Sequence, residues 1–576
     1  MISPEFLQQV TRYLAELYPA EDASELAARC IEAVGIDVTH APLESQGSLW
    51  DSTDIVLITY ADSIVSSSQT PLNTINYFLN SYLKETVSVV HILPFFPYSS
   101  DDGFSVIDYS TVNPSHGKWE QLTQVKTNFK LMVDLVLNHC STRSLWFENF
   151  KTGNDPGRNF FITAAADTDT SQVIRPRTSD LLRPTRTSSG EIFVWCTFSH
   201  DQVDLNFRSP DVLLEFLKII RLYLEQGVEW FRLDAVGFIW KELGTSCINL
   251  PEAHTIIKLL RLLIENRSKG SVIVTETNIP NSENLTYFGE LDEAHLIYNF
   301  SLPPLLVNTL ATGDYSHLQQ WIKTMPPARP GTAYLNFLAS HDGVGLRPAE
   351  GLLSREEIES LTQTMVAFGG RLSYRAAQSG KQEPYEINIS LWDALAGTTR
   401  GGRDQYQFDR FICAHAILLA LEGIPAFYIH SLFATENDVS RVENTGNLRS
   451  INRHVWELEE LEHRLADENY HHGLVFNQLT QLIMLRKRCK AFHPNATMFT
   501  LHLADSVFGF WRQSLDREQD IFAVFNVTDA AVPFDLSGLN LTIDNVWVDL
   551  VSGSTFEDTT GSIELRPYQF LWISNK

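Results

Sequence analysis

Short apolar runs of strand length recur through the chain, between longer stretches whose apolar residues repeat at helical spacing. They fall at 55–60, 87–93, 131–137, 230–233, 272–275, 296–300, 333–338 and 426–429. A continuous apolar run suits a parallel strand covered on both faces, because neither side is left to water. Eight such runs alternating with helices predict an α/β fold, a (β/α)8 TIM barrel whose working residues sit on loops at the carboxyl ends of its strands. The gap between the third and fourth runs is too long for one connection. Residues 140–210, rich in Arg, Thr, Ser, Asp and Pro, read as an inserted subdomain, and a second polar excursion at 343–404 follows the seventh strand. Each insertion follows a strand, so both are expected over the carboxyl end of the barrel.

The flanks read differently. Residues 1–50 form a helical extension, with Phe6, Val10, Leu14 and Leu17, then Leu26, Cys30, Ile31 and Val34, on apolar faces broken at Pro19. The barrel with its insertions is expected over 51–490. From 491 to 576 the pattern turns to short strands, around 507–511, 521–527 and 563–567, which predicts a C-terminal all-β domain. The 576 residues carry 44 Lys plus Arg against 70 Asp plus Glu, a formal charge of −26. Such a surface repels nucleic acid and anionic membrane. No run of about 18 apolar residues occurs, and the amino terminus lacks the basic and apolar regions of a signal peptide. Cys30, Cys140, Cys196, Cys247, Cys413 and Cys489 are scattered singly, without zinc-ribbon spacing, and read as buried thiols of a cytoplasmic protein.

Four polar clusters sit where candidate strands end: Asp134-Leu-Val-Leu-Asn138-His139, Phe231-Arg232-Leu233-Asp234, Thr275-Glu276-Thr277-Asn278 and Ser340-His341-Asp342-Gly343. Cleaving a glycosidic bond with retention needs a carboxylate nucleophile and a carboxylic acid about 5–5.5 Å apart, which neighbouring barrel strands supply. Asp234 and Glu276 fit by position. Arg232, two residues before Asp234 on the same strand face, is expected to keep that carboxylate ionised, and Glu276 to gain and lose a proton around the working pH. An Asp-Asn-His group can bind calcium, but no cage of acidic loop oxygens accompanies this one, and no metal is expected.

In order and placement these clusters resemble the four conserved regions of the α-amylase-type glycoside hydrolase clan. The resemblance assigns Asp342 to stabilising an oxocarbenium-like transition state, and His139 and His341 to the glucosyl ring. It narrows with His91-Ile-Leu-Pro-Phe-Phe-Pro-Tyr98, Ile174-Arg-Pro-Arg177, Trp195-Cys-Thr-Phe-Ser199, Asp204-Leu-Asn-Phe207 and Ile451-Asn-Arg-His454, which are similar to the sucrose phosphorylase branch. By that resemblance Asp101, or its neighbour Asp102, clamps the distal glucose hydroxyls together with Arg453. A mobile phosphate-contacting arginine falls at Arg175 or Arg177, in a stretch that also holds Arg183 and Arg186. The fixed fork of guanidinium donors suits phosphate.

The preface, the run 53–62 and the run 384–389 look more like glucosylglycerate phosphorylases. A carboxylate-bearing acceptor would then meet Arg371, Arg375 or Lys381, beside Tyr374 and Glu386. The expected activity is phosphorolysis of 2-O-α-glucosylglycerate to α-glucose 1-phosphate, with no cofactor and inorganic phosphate as co-substrate. The alternatives are sucrose, sucrose 6-phosphate or glucosylglycerol phosphorylase, an α-glucosidase or transglucosidase that releases product without phosphate, and a non-catalytic sugar-binding barrel.

Overall fold

The computed structural model describes residues 3–37, 48–376, 382–503, 505–542 and 546–575. Eight parallel strands close into a barrel in chain order: β1 (Val56–Thr59), β2 (Val89–Ile92), β3 (Lys130–Val136), β4 (Trp230–Asp234), β5 (Val272–Thr275), β6 (Leu296–Tyr298), β7 (Ala333–Phe337) and β8 (Ile424–Tyr428), with β8 paired back to β1. All their residues are buried except Lys130, which is partly exposed. That two-sided burial is why the strands read as unbroken apolar runs rather than as alternation. The polar residues that interrupt them, among them His91, Asp134 and Arg232, are therefore the ones requiring an explanation.

Two helices precede the barrel, α1 (Pro4–Leu17) and α2 (Ala23–Val34). Ser3 and Asp22 cap them by accepting from the backbone N–H groups of Phe6 at 3.1 Å and Ser24 at 2.9 Å. α1 packs on the barrel helix Pro251–Arg267 and α2 on Pro210–Glu225, so the extension is joined to the barrel wall.

The first insertion pairs His139–Ser141 with Gln202–Asp204 and adds a three-stranded sheet of Thr163–Ala164, Gly190–Trp195 and Leu182–Thr187. The second places Val344–Gly345 against the hairpin Arg371–Ala376 and Gln382–Asn388. Gly343 permits that approach. A Cβ there would lie 2.5 Å from the Ile387 carbonyl oxygen, inside any tolerable contact. Beyond the helices Leu458–Ala466 and His471–Lys487, a six-stranded sheet and the pair Val532–Asp535 with Ser562–Leu565 make an all-β terminal domain. No described helix is long and apolar enough to cross a membrane.

Candidate active site

The carboxyl ends of β3, β4, β5 and β7 converge on one cavity of about 730 Å³, mouth included, lined by Asp234, Glu276 and Asp342. Register brings the first elements together: Arg232 of β4 lies opposite Asp134 of β3, so both side chains share the barrel interior. The Arg232 guanidinium forms a close ion pair with Asp134, donates to Asp234 Oδ1 at 2.8 Å and lies 3.8 Å from Glu276 Oε2. His91 Nε2 donates to the other Asp134 oxygen at 2.7 Å. Asp134 is thus the anchor that fixes Arg232.

Burial pushes the Asp234 carboxyl up against the opposing pull of Arg232, with Glu276 adding to the rise. Burial likewise raises Glu276, where Arg232 resists less directly. Two neighbouring buried carboxyls whose proton affinities are both raised titrate as a pair, and the second of them ionises only with difficulty. Arg232 touches Asp234 and stands a further ångström from Glu276, a geometry that favours the charge on Asp234 and the proton on Glu276. Arg232, expected to keep Asp234 ionised, exerts that pull, but burial and the neighbouring Glu276 outweigh it and the Asp234 carboxyl is raised. Ala235, in the left-handed region at φ 47°, aims its N–H at Glu276 Oε2 at 2.9 Å. A non-glycine residue held there is local strain at the point where the two carboxyls meet.

Asp342 is held differently. Burial raises its carboxyl, but Arg449 in close contact, with Arg453 behind it, holds it below the ordinary carboxylate range. Arg449 is itself gripped through two donors by Glu386, at 3.0 and 2.7 Å. Arg453 donates to Asp102 Oδ2 at 2.6 Å and from Nε to the His341 carbonyl at 2.8 Å, while Asp101 stands 3.7 Å away. Asp101 and Asp102 are consecutive left-handed residues, φ 54° and 46°, and Asp101 is the one that lines the cavity. His139 and His341 both line it as well, whereas Arg453, expected to clamp the glucose directly, does not. Burial lowers both imidazoles, so they face the cavity uncharged. His341 stacks on Phe104 at 4.8 Å, and its Nδ1, like Arg453 Nη2, is buried without a hydrogen-bond partner among the described residues. Buried groups left with bonding capacity beside a polar cavity suit sugar hydroxyls.

The two insertions meet the cavity, though not through all the residues singled out in the sequence. Arg177 lines it, its guanidinium over Phe198 and Tyr385 at 5.7 and 5.8 Å. Arg175 does not line it, and its Nε and Nη2 are buried without partners among the described residues. Arg371 and Arg375, expected to meet the acceptor, line neither the cavity nor its mouth. Arg371 is exposed and donates to the carbonyls of Gly369 and Gly370, while the charge of Arg375 is met within the insertion by Glu350 at 2.6 Å and Glu383 at 3.5 Å. Tyr374 and Glu386 line the mouth, but the Glu386 carboxylate is committed to Arg449. Lys381 lies outside the described residues.

Arg347, Tyr385 and Arg449 line the cavity without having been foreseen. Arg449 lies four residues before Arg453 in the same short stretch, and Arg347 five residues after Asp342; neighbourhood to a matched motif was the available signal. As for a cation, the Asn138 amide oxygen and the Asp204 carboxylate both bind the Lys241 ammonium, at 2.5 and 2.6 Å. An ammonium thus supplies the positive charge there. A second group, Glu436, His471 and His472, brings ligand atoms within 4.8 Å of one another, but Arg464 Nη1 stands 3.2 Å from His472 Nε2. A guanidinium in that position opposes a metal ion.

A parallel barrel carrying a buried arginine among carboxylates at the ends of β4, β5 and β7 defines the class of enzymes that act on glycosidic bonds through the α-amylase fold. The family described as the catalytic domain of α-amylase matches residues 77–349, and the C-terminal domain of maltogenic amylase matches 499–572. The chain belongs to the α-amylase family, in the group that includes the glucosylglycerate phosphorylases. It is 40% identical to the glucosylglycerate phosphorylase of Escherichia coli (strain K12), covering 98% of this chain and 100% of that relative. To the protein of the same name from Allomeiothermus silvanus it is 41% identical, over 99% of each chain. Among solved structures, the sucrose 6F-phosphate phosphorylase from Thermoanaerobacter thermosaccharolyticum superposes with a TM-score of 0.73 at 25% identity, covering 89% of this chain and 98% of that one.

Proposed function

We propose that the protein is a retaining phosphorylase that cleaves 2-O-α-glucosylglycerate with inorganic phosphate to give α-glucose 1-phosphate and glycerate. The observation carrying this reading is the Asp234–Arg232–Glu276 group, with the guanidinium in contact with Asp234 and 3.8 Å from Glu276, in a cavity that also holds two arginines without a carboxylate partner among the described residues. The names of the relatives at 40% identity or above, over nearly the whole chain, supply the acceptor.

In the first step an Asp234 oxygen attacks the anomeric carbon and the bond to the glycerate oxygen breaks. The Glu276 proton goes to that oxygen, leaving a β-glucosyl ester on Asp234 and an ionised Glu276. In the second, a phosphate oxygen attacks the same carbon from the vacated face, the ester electrons return to Asp234, and Glu276 takes up the phosphate proton. Two inversions give net retention. Asp342, kept ionised by Arg449, faces the sugar while positive charge develops on its ring, and Asp101, His139 and His341 hold its hydroxyls, with Arg453 behind them fixing Asp102 and the His341 backbone. Two carboxyls and phosphate complete the reaction without a cofactor. The working compartment is the cytoplasm, in keeping with six cysteines that are all free and buried.

Running the enzyme in reverse, with α-glucose 1-phosphate and glycerate, glycerol, fructose or fructose 6-phosphate, tests the reading. Phosphate release is expected with glycerate at the highest kcat/KM. Preference for fructose, its phosphate or glycerol would reassign the acceptor, and glucose release independent of phosphate in the forward direction would make the protein a hydrolase.

A further inference from the structure

The cations around the catalytic cavity divide into two sets. Arg232 is held by Asp134 and Asp234, Arg449 by Asp342 and Glu386, and Arg453 by Asp102. Arg177 and Arg347 line the same cavity and have no carboxylate partner among the described residues. A guanidinium kept free of carboxylates on the wall of a protein with 70 acidic side chains is a site for an incoming anion.

The two free arginines occupy different places. Arg177 lines both the inner cavity and its outer mouth, on a loop of the first insertion beside Pro176, and rests over two aromatic rings. Arg347 lines only the inner cavity. Its backbone is fixed on both sides: Leu346 N–H donates to the Tyr385 carbonyl at 3.0 Å, and Ser301 Oγ donates to the Pro348 carbonyl at 2.9 Å. The segment just before it presses on the loop that follows the acid, since a Cβ on Gly345 would stand 2.7 Å from Asn278 Nδ2. Asn278 is two residues beyond Glu276, so Arg347 belongs to the side of the cavity where the protonated oxygen departs.

We infer that Arg347 selects an acidic acceptor, its guanidinium receiving the carboxylate of the departing glycerate, while Arg177 at the mouth takes the phosphate that follows. This rests on the phosphorylase reading above and adds to it the residue that separates a carboxylate-bearing acceptor from a neutral polyol of the same size. The two anions occupy the leaving-group side in turn, never together. Excess glycerate therefore competes with phosphate for the glucosyl-enzyme.

The full-length enzyme and its Arg347→Ala and Arg347→Gln variants, supplied with α-glucose 1-phosphate, are compared on glycerate and glycerol within the same preparation. The folded fraction then cancels from the ratio of the two kcat/KM values. Losing a pair of charge-assisted hydrogen bonds lowers that ratio by about 100-fold. Transfer from α-glucosyl fluoride to phosphate gives the KM for phosphate separately, which is expected to rise at least ten times less than the ratio falls. An unchanged ratio in either active variant overturns the assignment, and an unchanged ratio with a raised KM for phosphate gives Arg347 to phosphate instead. If the wild-type enzyme makes no product from glycerate, the reading of the reaction fails and the assignment with it. If the wild type uses glycerate and the variants keep its preference, the assignment alone fails.

Discussion

One guanidinium sets the division of labour between Asp234 and Glu276. Arg232 is in contact with the first and a further ångström from the second, and Asp134 with His91 fixes it there. A carboxyl raised by burial keeps its proton to higher pH, so Glu276 is still an acid where an exposed glutamate would be fully ionised. The rate with glucosylglycerate is expected to fall on the alkaline side as that proton is lost, and on the acid side as the pair takes up a second proton. Replacing Glu276 with Gln should lower kcat for glucosylglycerate about 10³-fold and remove the alkaline limb, whereas fluoride release from α-glucosyl fluoride should fall far less, because fluoride departs without a proton. A profile that keeps its alkaline limb in the variant would assign the acid elsewhere.

At the scale of elements, the second insertion reaches the chemistry through Glu386, on the strand Gln382–Asn388. Glu386 grips Arg449, which belongs to the turn Leu448–Asn452, and Arg449 in turn holds Asp342 at the end of β7. Asn452 secures the same turn by donating to the Ser340 carbonyl at 2.6 Å. Replacing Glu386 with Gln removes one of the two carboxylates that fix Arg449. A shift of Asp342 of the order of an ångström then costs about 10–100-fold in kcat, with a smaller change in KM, and steady-state kinetics on glucosylglycerate read the two apart. This relay also shows what the sequence could carry. The eight strands were legible because burial on both faces leaves a local, continuous signature, and Asp234, Glu276 and Asp342 because each terminates such a run. Arg347 and Arg449 were not, since what singles them out is whether a carboxylate from elsewhere in the chain neutralises them. Arg371 and Arg375 looked free for the converse reason: Glu350, a partner of Arg375, lies across a helix from it in sequence, and the carbonyls that take up Arg371 leave no mark in a sequence at all.

Across the whole molecule, buried arginines gather at a second place besides the catalytic cavity, the opposite end of the barrel. There Arg486 and Arg512 are fully buried and, among the described residues, donate only to backbone carbonyls. Arg486, near the end of His471–Lys487, donates to Leu419, Ser52, Gly423 and Phe492, joining the start of the barrel, the turn before β8 and the segment leading to the terminal sheet. Arg512, inside that sheet, reaches back to Ala420 at 2.7 Å and also holds the carbonyls of His493 and Ala496. These residues stand where two domains would otherwise meet through unpaired carbonyls, each expensive to bury. Barrel and terminal domain should accordingly unfold in one transition. Replacing Arg512 with Met keeps the bulk and strands three carbonyl oxygens, which costs on the order of 3 kcal/mol. Thermal unfolding is expected to begin at lower temperature in that variant, while kcat and KM at 25 °C stay at the wild-type values, because the change lies at the end of the barrel away from Asp234 and Glu276. Lost activity in a variant that melts normally would mean that the two ends of the barrel are coupled.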